Sequence, residues 1–301
     1  MDKRQILLHL LEKSENSFKK FSKGGFFNQM KKLMRYRGKY LKYAISELTK
    51  KPLLVKGKTF WGEDFFTHLP GDKYIFLFNI LGDSEIKLTK FFIKNLKSNS
   101  IFFDIGANYG FYSLLAKQLI TDGQVHAFEP TPTTFKFLQK NLSNKDRIFL
   151  NQIAFFDSEG IINFYENLVG KSGLNTFNVF NIKSIFNQDL FKQIRVSTTT
   201  LDKYCLSHSR PTFIKIDVEG AEGQVIEGAI ETLKNESPII VMEVWRSPLN
   251  NEGHLRAIEV LKKFGYKPYS ITNNGELKSK EKIEPEKDII ALDDNFVFIK
   301  S

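Results

Sequence analysis

The pattern of hydrophobic and polar positions changes near residue 100. Before it, apolar residues recur at helical spacing in residues 1–50 and 84–97, while residues 53–80 alternate apolar stretches with turn signals typical of short strands. From Ser100 onward, short apolar runs alternate with amphipathic stretches of helical period. This alternation predicts an α/β fold with a doubly wound, mainly parallel sheet and helices on both faces.

The strands predicted for this sheet are short apolar runs, and they lie at residues 101–105, 124–128, 148–154, 212–216, 238–244, 267–271 and 295–300. Helices are predicted between them at residues 111–120, 133–142, 221–233 and 254–264. Two further strands, at 161–165 and 194–199, flank a long loop. Glycine-containing residues 168–176 of that loop are interpreted as a lid over a site, with a plain surface excursion as the alternative.

Composition excludes several classes of protein. The chain has 301 residues, 42% of them hydrophobic and 26% charged, which is unlike collagen, a disordered chain or a mostly transmembrane protein. The single cysteine, Cys205, forms no internal disulfide and favours a reducing compartment. No apolar run has the features of an export signal or the length of a membrane span. We therefore expect a cytoplasmic protein.

Positive charge is concentrated at the start of the chain. The net charge is +10, and residues 1–60 hold 16 lysines and arginines against four acidic residues. Residues 1–50 are thus predicted to form a basic helical N-terminal segment. It is interpreted either as a solvated helix packed by its apolar side or as a surface that meets an anionic membrane or a polyanionic substrate. No nucleic-acid motif accompanies the charge, so no nucleic-acid partner is expected.

A glycine-containing loop follows the predicted strand 101–105 and opens a helix. It reads Asp-Ile-Gly-Ala-Asn-Tyr-Gly from Asp104 to Gly110, and glycines there allow a ligand to approach the backbone. The next strand ends at Glu129, 23 residues after Gly106. An acidic residue at that strand end accepts hydrogen bonds from both hydroxyls of a ribose. The pair predicts a crevice that binds a nucleoside.

The loop chemistry indicates which nucleoside. A dinucleotide-binding loop has a middle glycine that admits a pyrophosphate, whereas Asn108 stands at that position here. Asp104 adds a carboxylate that would repel a pyrophosphate and suits a cationic ligand. S-adenosylmethionine fits both features, because it has a ribose, an ammonium and a sulfonium and no phosphate, and it is therefore the expected cofactor. Two alternatives remain. One is an NAD-dependent oxidoreductase, which the loop disfavours, and the other is a non-catalytic protein that binds anionic surfaces.

Two stretches together resemble the FkbM-type methyltransferases. They are Asp-Ile-Gly-Ala-Asn-Tyr-Gly-Phe-Tyr-Ser from Asp104 with Ala-Phe-Glu-Pro from Ala127, and Ile-Lys-Ile-Asp-Val-Glu-Gly-Ala-Glu from Ile214. The resemblance covers about residues 80–245. It implies a class I Rossmann-like methyltransferase fold with seven strands, in a domain spanning 51–301 with its core at about 80–301. It also implies a hydroxyl acceptor on a sugar, glycan, lipid or secondary metabolite.

The resemblance and the chemistry assign the same positions to S-adenosylmethionine: Asp104, Gly106, Ala107, Asn108, Gly110, Glu129 and Ala154. The loop backbone would line the methionine portion, and the Asp104 and Asn108 side chains would hold its polar end. Glu129 would bind the ribose hydroxyls. Ala154, or alternatively Asp157, would lie beside the adenine.

Carboxylates after the strand 212–216 are the candidates for the reaction. Asp217 and Glu219 are predicted to position the acceptor or to accept its proton, with capping of the next helix as the structural alternative. Glu222 lies in the first helical turn and is interpreted as structural. Asp217 with Glu243 is chemically able to bind a hard cation, but no spacing requires one, so the sequence assigns no metal.

Overall fold

The computed structural model describes residues 2–22, 37–82, 84–143, 145–177, 190–249, 251–291 and 293–300. Part of the predicted basic segment, residues 23–36, and the centre of the predicted long loop, residues 178–189, lie outside the described residues. Among the described residues, no helix combines the length and the apolar character that crossing a bilayer requires.

The N-terminal part forms helices around a hairpin. Its elements are α1 (Lys3–Ser22), α2 (Arg37–Thr49), β1 (Leu53–Lys58), β2 (Asp64–Leu69), α3 (Lys73–Phe78) and α4 (Ser84–Asn95). Leu7 and Leu11 of α1 are buried in the same hydrophobic core as α4, and Arg4 donates to the carbonyl of Ile93 at 2.5 Å. Helix α1 therefore packs its apolar side on the body of the protein. The boundary at residue 50 stays a prediction.

Strands and helices then alternate, as the hydrophobic pattern predicts. The elements that build or cover the large sheet are β3 (Ile101–Ile105), α5 (Phe111–Leu119), β4 (Gln124–Phe128), α6 (Pro132–Leu142), β5 (Ile148–Asn151), α7 (Leu201–Ser207), β9 (Phe213–Ile216), α8 (Glu222–Glu227), α9 (Ile230–Asn235), β10 (Ile239–Trp245), α10 (Glu252–Lys263), β11 (Tyr266–Ile271), β12 (Leu277–Ser279), α11 (Pro285–Asp288) and β13 (Asp293–Lys300). Between β5 and α7 the chain forms β6 (Ala154–Phe155), β7 (Gly160–Asn167) and β8 (Phe191–Thr199).

The large sheet has the strand order β12-β11-β13-β10-β9-β3-β4-β5. Neighbours from β10 to β5 are parallel, and β13 runs antiparallel between β10 and β11. The mainly parallel sheet is thereby confirmed, and within the described part of the chain the short β12 adds an eighth strand to the seven expected. Strand order reverses between β3 and β9, and ligands of such sheets bind beyond the carboxyl ends of the strands at this switch point.

The predicted third strand, residues 148–154, is wrong in its last part. Strand β5 ends at Asn151, and Ala154 belongs to β6, which pairs with Thr198 in a separate three-stranded sheet of order β6-β8-β7. Polar Asn151 and Gln152 stand at this break, and Phe155 beyond it is again buried against the main core, with 2% of its surface exposed. The small sheet places β6 and β7 beside the carboxyl edge of the large one.

Alternating side chains of the central strand build a core on each face of the sheet. Phe102 packs into the cluster shared with α1, α4 and α5, and Phe103 packs into the cluster on the other face, shared with α7, α8 and α10. Both rings are fully buried. Burial of one such side chain stabilises the fold by about 1.5–3 kcal/mol. The two cores hold the carboxyl edge of β3 and β9 in a fixed position.

Candidate active site

The loop between β3 and α5 is held against the neighbouring strand ends. The Gly106 and Ala107 amides both donate to the Phe128 carbonyl, at 3.0 and 2.9 Å. Gly106 has a φ of +77°, and a Cβ atom there would lie 1.8 Å from the Asp217 carbonyl oxygen. Glycine is required at this position by both the backbone angle and the close approach.

Gly106→Ala is expected to lower the free energy of unfolding by at least about 2 kcal/mol, because the methyl group must displace the backbone at Asp217. Urea denaturation measures this loss. The matched control is Gly38→Ala in α2, where a Cβ would have no atom within 4 Å. That control should leave stability unchanged or raise it by up to about 1 kcal/mol. Equal stabilities of the two variants would contradict the close approach at Gly106.

Glu129, at the end of β4, faces this loop. Its carboxylate accepts hydrogen bonds from the amides of Asn108 at 3.2 Å and Thr131 at 2.9 Å. The residue is buried, with 6% of its surface exposed. Burial raises the pKa of Glu129 to about 7, although the two amides act in the opposite direction. A carboxylate held in this way presents its remaining lone pairs in a fixed direction.

Asp104 lies beneath the loop rather than on the cleft surface. It is 1% exposed, and its Oδ2 accepts a hydrogen bond from Ser113 Oγ at 2.6 Å, while Oδ1 has no partner among the described residues. Burial raises its pKa, and the charge of Lys215 opposes that shift. Its contact with a ligand stays a prediction. Sequence reasoning missed Ser113, which follows Asp104 by nine residues at the start of α5.

A cleft opens between the two sheets on the other side of the loop. It encloses about 720 Å³ of space, including its open mouth, and its walls come from the ends of β3, β4 and β9 and from the small sheet. The apolar part of its wall is formed by Phe128, Ile153, Ala154, Phe155, Phe156, Ile162, Phe164 and Phe177. Ala154 reaches this wall from β6. Asp157 is exposed and is not among the lining residues.

The carboxylates Asp217 and Glu219 also line this cleft, and Glu243 adjoins them. Lys215, which is 3% exposed, donates from Nζ to Asp217 Oδ2 at 2.7 Å. Asp217, Glu219 and Glu243 each offer one carboxylate oxygen, and these three atoms lie within 4.8 Å of one another. Burial, followed by the nearby charge of Asp217, raises the pKa of both Glu219 and Glu243 well above the usual range. Sequence reasoning had placed Glu243 near this site only as an alternative.

Glu222 holds the turn that carries these groups. The side chain is fully buried, and its two oxygens accept from the amides of Val218 and Gly220, each at 3.1 Å. Burial raises the pKa of Glu222 to about 8. The turn includes Glu219 at a φ of 55°, a conformation that side-chain-bearing residues rarely adopt. Glu222 thereby stabilises a turn that aims Glu219 into the cleft.

A second chamber lies on the far side of the glycine loop. It shares Gly106, Asn108 and Asp217 with the first cleft, and its further walls include Asp72 and Glu85 from the N-terminal part. Tyr112 donates from its hydroxyl to Glu85 at 2.6 Å. No motif signalled Asp72 or Glu85, because they precede the α/β region and reach the site by tertiary packing.

Residues 168–176 contact both the glycine loop and the turn that carries Glu219. Ser172, in a short 3₁₀ turn (Ser172–Leu174), donates to the Asn108 side chain at 2.7 Å, and Thr176 donates to the Glu219 carbonyl at 2.9 Å. Asn175 contacts the Thr131 and Thr134 hydroxyls, both at 3.3 Å. The segment therefore covers the site at the position expected of a lid, and its opening stays a prediction.

The chain is similar in sequence to a protein family and to individual methyltransferases. Residues 104–268 match the family model described as the methyltransferase FkbM domain. Hexuronic acid methyltransferase AglP of Haloferax volcanii is 24% identical over 161 residues, which are 52% of this chain and 61% of that protein. 2-O-methyltransferase NoeI of Sinorhizobium fredii is 28% identical over 150 residues, 46% of this chain and 60% of that protein.

Among solved structures, methyltransferase FkbM of Methylobacillus flagellatus superposes with a TM-score of 0.42 and 16% identity, over 67% of this chain and 44% of that one. At this level of similarity the superposition does not bear on function.

Proposed function

Because the chain belongs to the FkbM methyltransferase family, we propose that it transfers a methyl group from S-adenosylmethionine to a hydroxyl of a sugar, glycan, lipid or secondary metabolite. The observation that carries this proposal is the cleft in which Glu129 and the glycine loop face the carboxylates that follow β9. This cleft suits the cofactor, and the second chamber, which shares Asp217 with it, suits an acceptor hydroxyl.

The cofactor side supports the proposal through shape and charge. Glu129 is fixed by two backbone amides and has oxygen lone pairs for the two ribose hydroxyls. The apolar wall around Ala154 and Phe155 fits a flat adenine ring. In this proposal the backbone of the glycine loop lines the methionine portion, and the side chain of Asn108, which lines both chambers, contacts its polar end.

The acceptor side supports an oxygen acceptor. Methyl transfer is an in-line displacement, in which the acceptor oxygen must be held close to the methyl carbon and opposite the sulfur. As the oxygen–carbon bond forms and the sulfur–carbon bond breaks, the sulfur keeps the electron pair. The hydroxyl proton must leave, and Asp217 or Glu219 accepts it in this proposal. The ion pair with Lys215 fixes the orientation of Asp217.

A sugar hydroxyl is the acceptor that the named relatives favour. One is called a hexuronic acid methyltransferase and the other a 2-O-methyltransferase. The chain spans about 60% of the length of each, so the substrates of those whole proteins are carried over here as a proposal. Two chambers that meet at Asp217 leave room for a cofactor in one and an acceptor in the other.

The direct test supplies purified protein with S-adenosylmethionine carrying a labelled methyl group and with panels of sugars, glycans, lipids and metabolites. We expect label in a hydroxyl-bearing acceptor and formation of S-adenosylhomocysteine. A parallel thermal-shift titration should raise Tm with S-adenosylhomocysteine and leave it unchanged with NAD. Stabilisation by NAD alone would contradict the proposal and favour an oxidoreductase.

Cofactor affinity is expected to rise with pH between 6 and 8. The pKa of Glu129 is raised to about 7, and the ionised carboxylate is the form that accepts from both ribose hydroxyls. If that form alone binds, the apparent Kd for S-adenosylhomocysteine should increase about tenfold from pH 8 to pH 6. Isothermal titration calorimetry measures it, and Glu129→Gln should show a flat profile. A profile in Glu129→Gln as steep as that of the unmodified protein would assign the titration to another group.

A further inference from the structure

Three carboxylates at the carboxyl edge of β9 and β10 have the spacing of ligands of one ion. The oxygens of Asp217, Glu219 and Glu243 lie within 4.8 Å of one another, and all three side chains are partly accessible. Oxygens bound to one cation are separated by at most twice the metal–oxygen distance, about 4.2 Å for Mg²⁺ and about 4.8 Å for Ca²⁺. The three groups therefore have the spacing of Ca²⁺ ligands, and a smaller ion such as Mg²⁺ or Mn²⁺ would draw them slightly closer together.

The local charge is unbalanced without a cation. Among the salt bridges of the described residues, the one that reaches this trio joins Lys215 to Asp217. Glu243 accepts a hydrogen bond from Trp245 Nε1 at 2.7 Å, which leaves its other oxygen available. When all three carboxylates are ionised, the one ammonium leaves an excess of two negative charges, which is the charge that a divalent cation neutralises.

A buried histidine supplies an independent sign of a ligand. His254 is fully buried, and neither ring nitrogen makes a hydrogen bond within the described part of the chain. Its Nε2 lies 3.0 Å from Glu222 Oε2 without hydrogen-bond alignment, and a ring nitrogen lies within 4.8 Å of the Glu243 carboxylate as well. Buried polar atoms normally have partners, so an imidazole aimed at two carboxylates without bonding to them points to a missing group.

We propose that Asp217, Glu219 and Glu243 form a binding site for a hard divalent cation such as Mg²⁺ or Mn²⁺. Carboxylate oxygens are the ligands that these ions prefer. Carboxylates that ligate a metal are commonly held by hydrogen bonds from behind, and His254 has the position to hold Glu243 in this way. The cation would lie in the cleft wall beside the glycine loop.

The cation site adds a detail to the proposed function, and the role of the cation in catalysis rests on that function. A divalent cation at this wall would bind the acceptor oxygen, lower the pKa of its hydroxyl and fix it for in-line attack. Two neighbouring hydroxyls of a sugar would suit such an ion. Cation binding itself does not depend on methyl transfer, and the two are therefore measured separately.

The test titrates the chelator-treated full chain with Mn²⁺, following free Mn²⁺ by electron paramagnetic resonance. We expect one Mn²⁺ per chain with a Kd below about 1 mM. Glu219→Gln and Glu243→Gln, which preserve shape, should each weaken binding by roughly tenfold or more. The control is Glu276→Gln, an exposed carboxylate paired with Lys94 outside the cleft, which should bind Mn²⁺ as the unmodified protein does.

Circular dichroism and a cooperative thermal unfolding transition establish that each variant is folded, and Glu219→Gln alone suffices if Glu243→Gln does not fold. The absence of a saturable Mn²⁺ site, or unchanged binding in folded Glu219→Gln, would overturn the cation site. If the unmodified protein binds Mn²⁺ stoichiometrically and these variants do not, the cation site is supported, even if no acceptor is methylated. Failure to methylate any acceptor would count against the proposed function alone.

Discussion

Asp217→Asn should reduce methyl transfer by about a hundredfold or more, while the affinity for S-adenosylmethionine changes by less than about threefold. Asp217 lies where the two chambers meet, and its Oδ2 is held by Lys215 at 2.7 Å. Asparagine keeps the shape but neither accepts the hydroxyl proton nor holds a cation as a carboxylate does. Single-turnover rates and calorimetric affinities, measured on one acceptor, separate the two effects.

The substitution also leaves Lys215 buried without its charged partner, so stability must be controlled. Asp294→Asn is the matched variant, since Asp294 is a half-buried aspartate that pairs with Lys87 at 2.5 Å and is not among the residues that line either chamber. It should lose an ion pair whose lysine is more exposed than Lys215, and it should keep turnover. Full activity in Asp217→Asn would remove Asp217 from the reaction, and equal losses in both variants would indicate a structural effect.

Glu129→Ala should weaken binding of S-adenosylmethionine and S-adenosylhomocysteine by more than about tenfold, because two hydrogen bonds to a charged group are lost. The amides of Asn108 and Thr131 lose their acceptor at the same time, which loosens the glycine loop. Calorimetry of the purified variant measures the loss. Glu129→Gln retains an acceptor of similar shape and should show an intermediate affinity.

Asp157→Ala is the control for this prediction. Asp157 follows β6 on the cofactor side, is exposed and contacts Ser158 at 2.8 Å rather than the cleft. We expect its removal to leave cofactor affinity unchanged. A loss in Asp157→Ala equal to that in Glu129→Ala would mean that general negative charge, rather than a positioned ribose contact, governs binding. Unchanged affinity in Glu129→Ala would exclude the ribose contact outright.

The succession of strands and helices along the chain and the place of the glycine loop could be predicted because their signals are local. A five-residue apolar run such as Ile101–Ile105, followed by glycines and a helical period, specifies a strand-loop-helix unit without reference to distant residues. Glu129 follows from the length of one such unit. Since parallel neighbours align their carboxyl ends, the loop and this carboxylate were expected at one edge of the sheet.

Other features could not be predicted from the sequence, because a hydrophobic pattern does not reveal which sheet a buried residue joins. Apolar residues resume at Ile153 just after the end of β5, and only the pairing of Ala154 with Thr198 assigns Ala154 to the small sheet. Strand β12 is three residues long and mostly polar, so it lacks a hydrophobic period. These are differences of hydrogen-bond pairing between segments, which a single-chain pattern does not encode.

By itself, the amino-acid sequence determined the mainly parallel α/β architecture, the glycine loop and the acidic residues at the ends of β4 and β9, because each depends on neighbours within one strand-helix unit. Tertiary structure alone decided that Glu85 and Ser172 reach this edge, and that Glu243 and His254 adjoin the carboxylates after β9. Those contacts join residues far apart in the chain. They arise from packing around two cores, where distance along the sequence carries no information about distance in space.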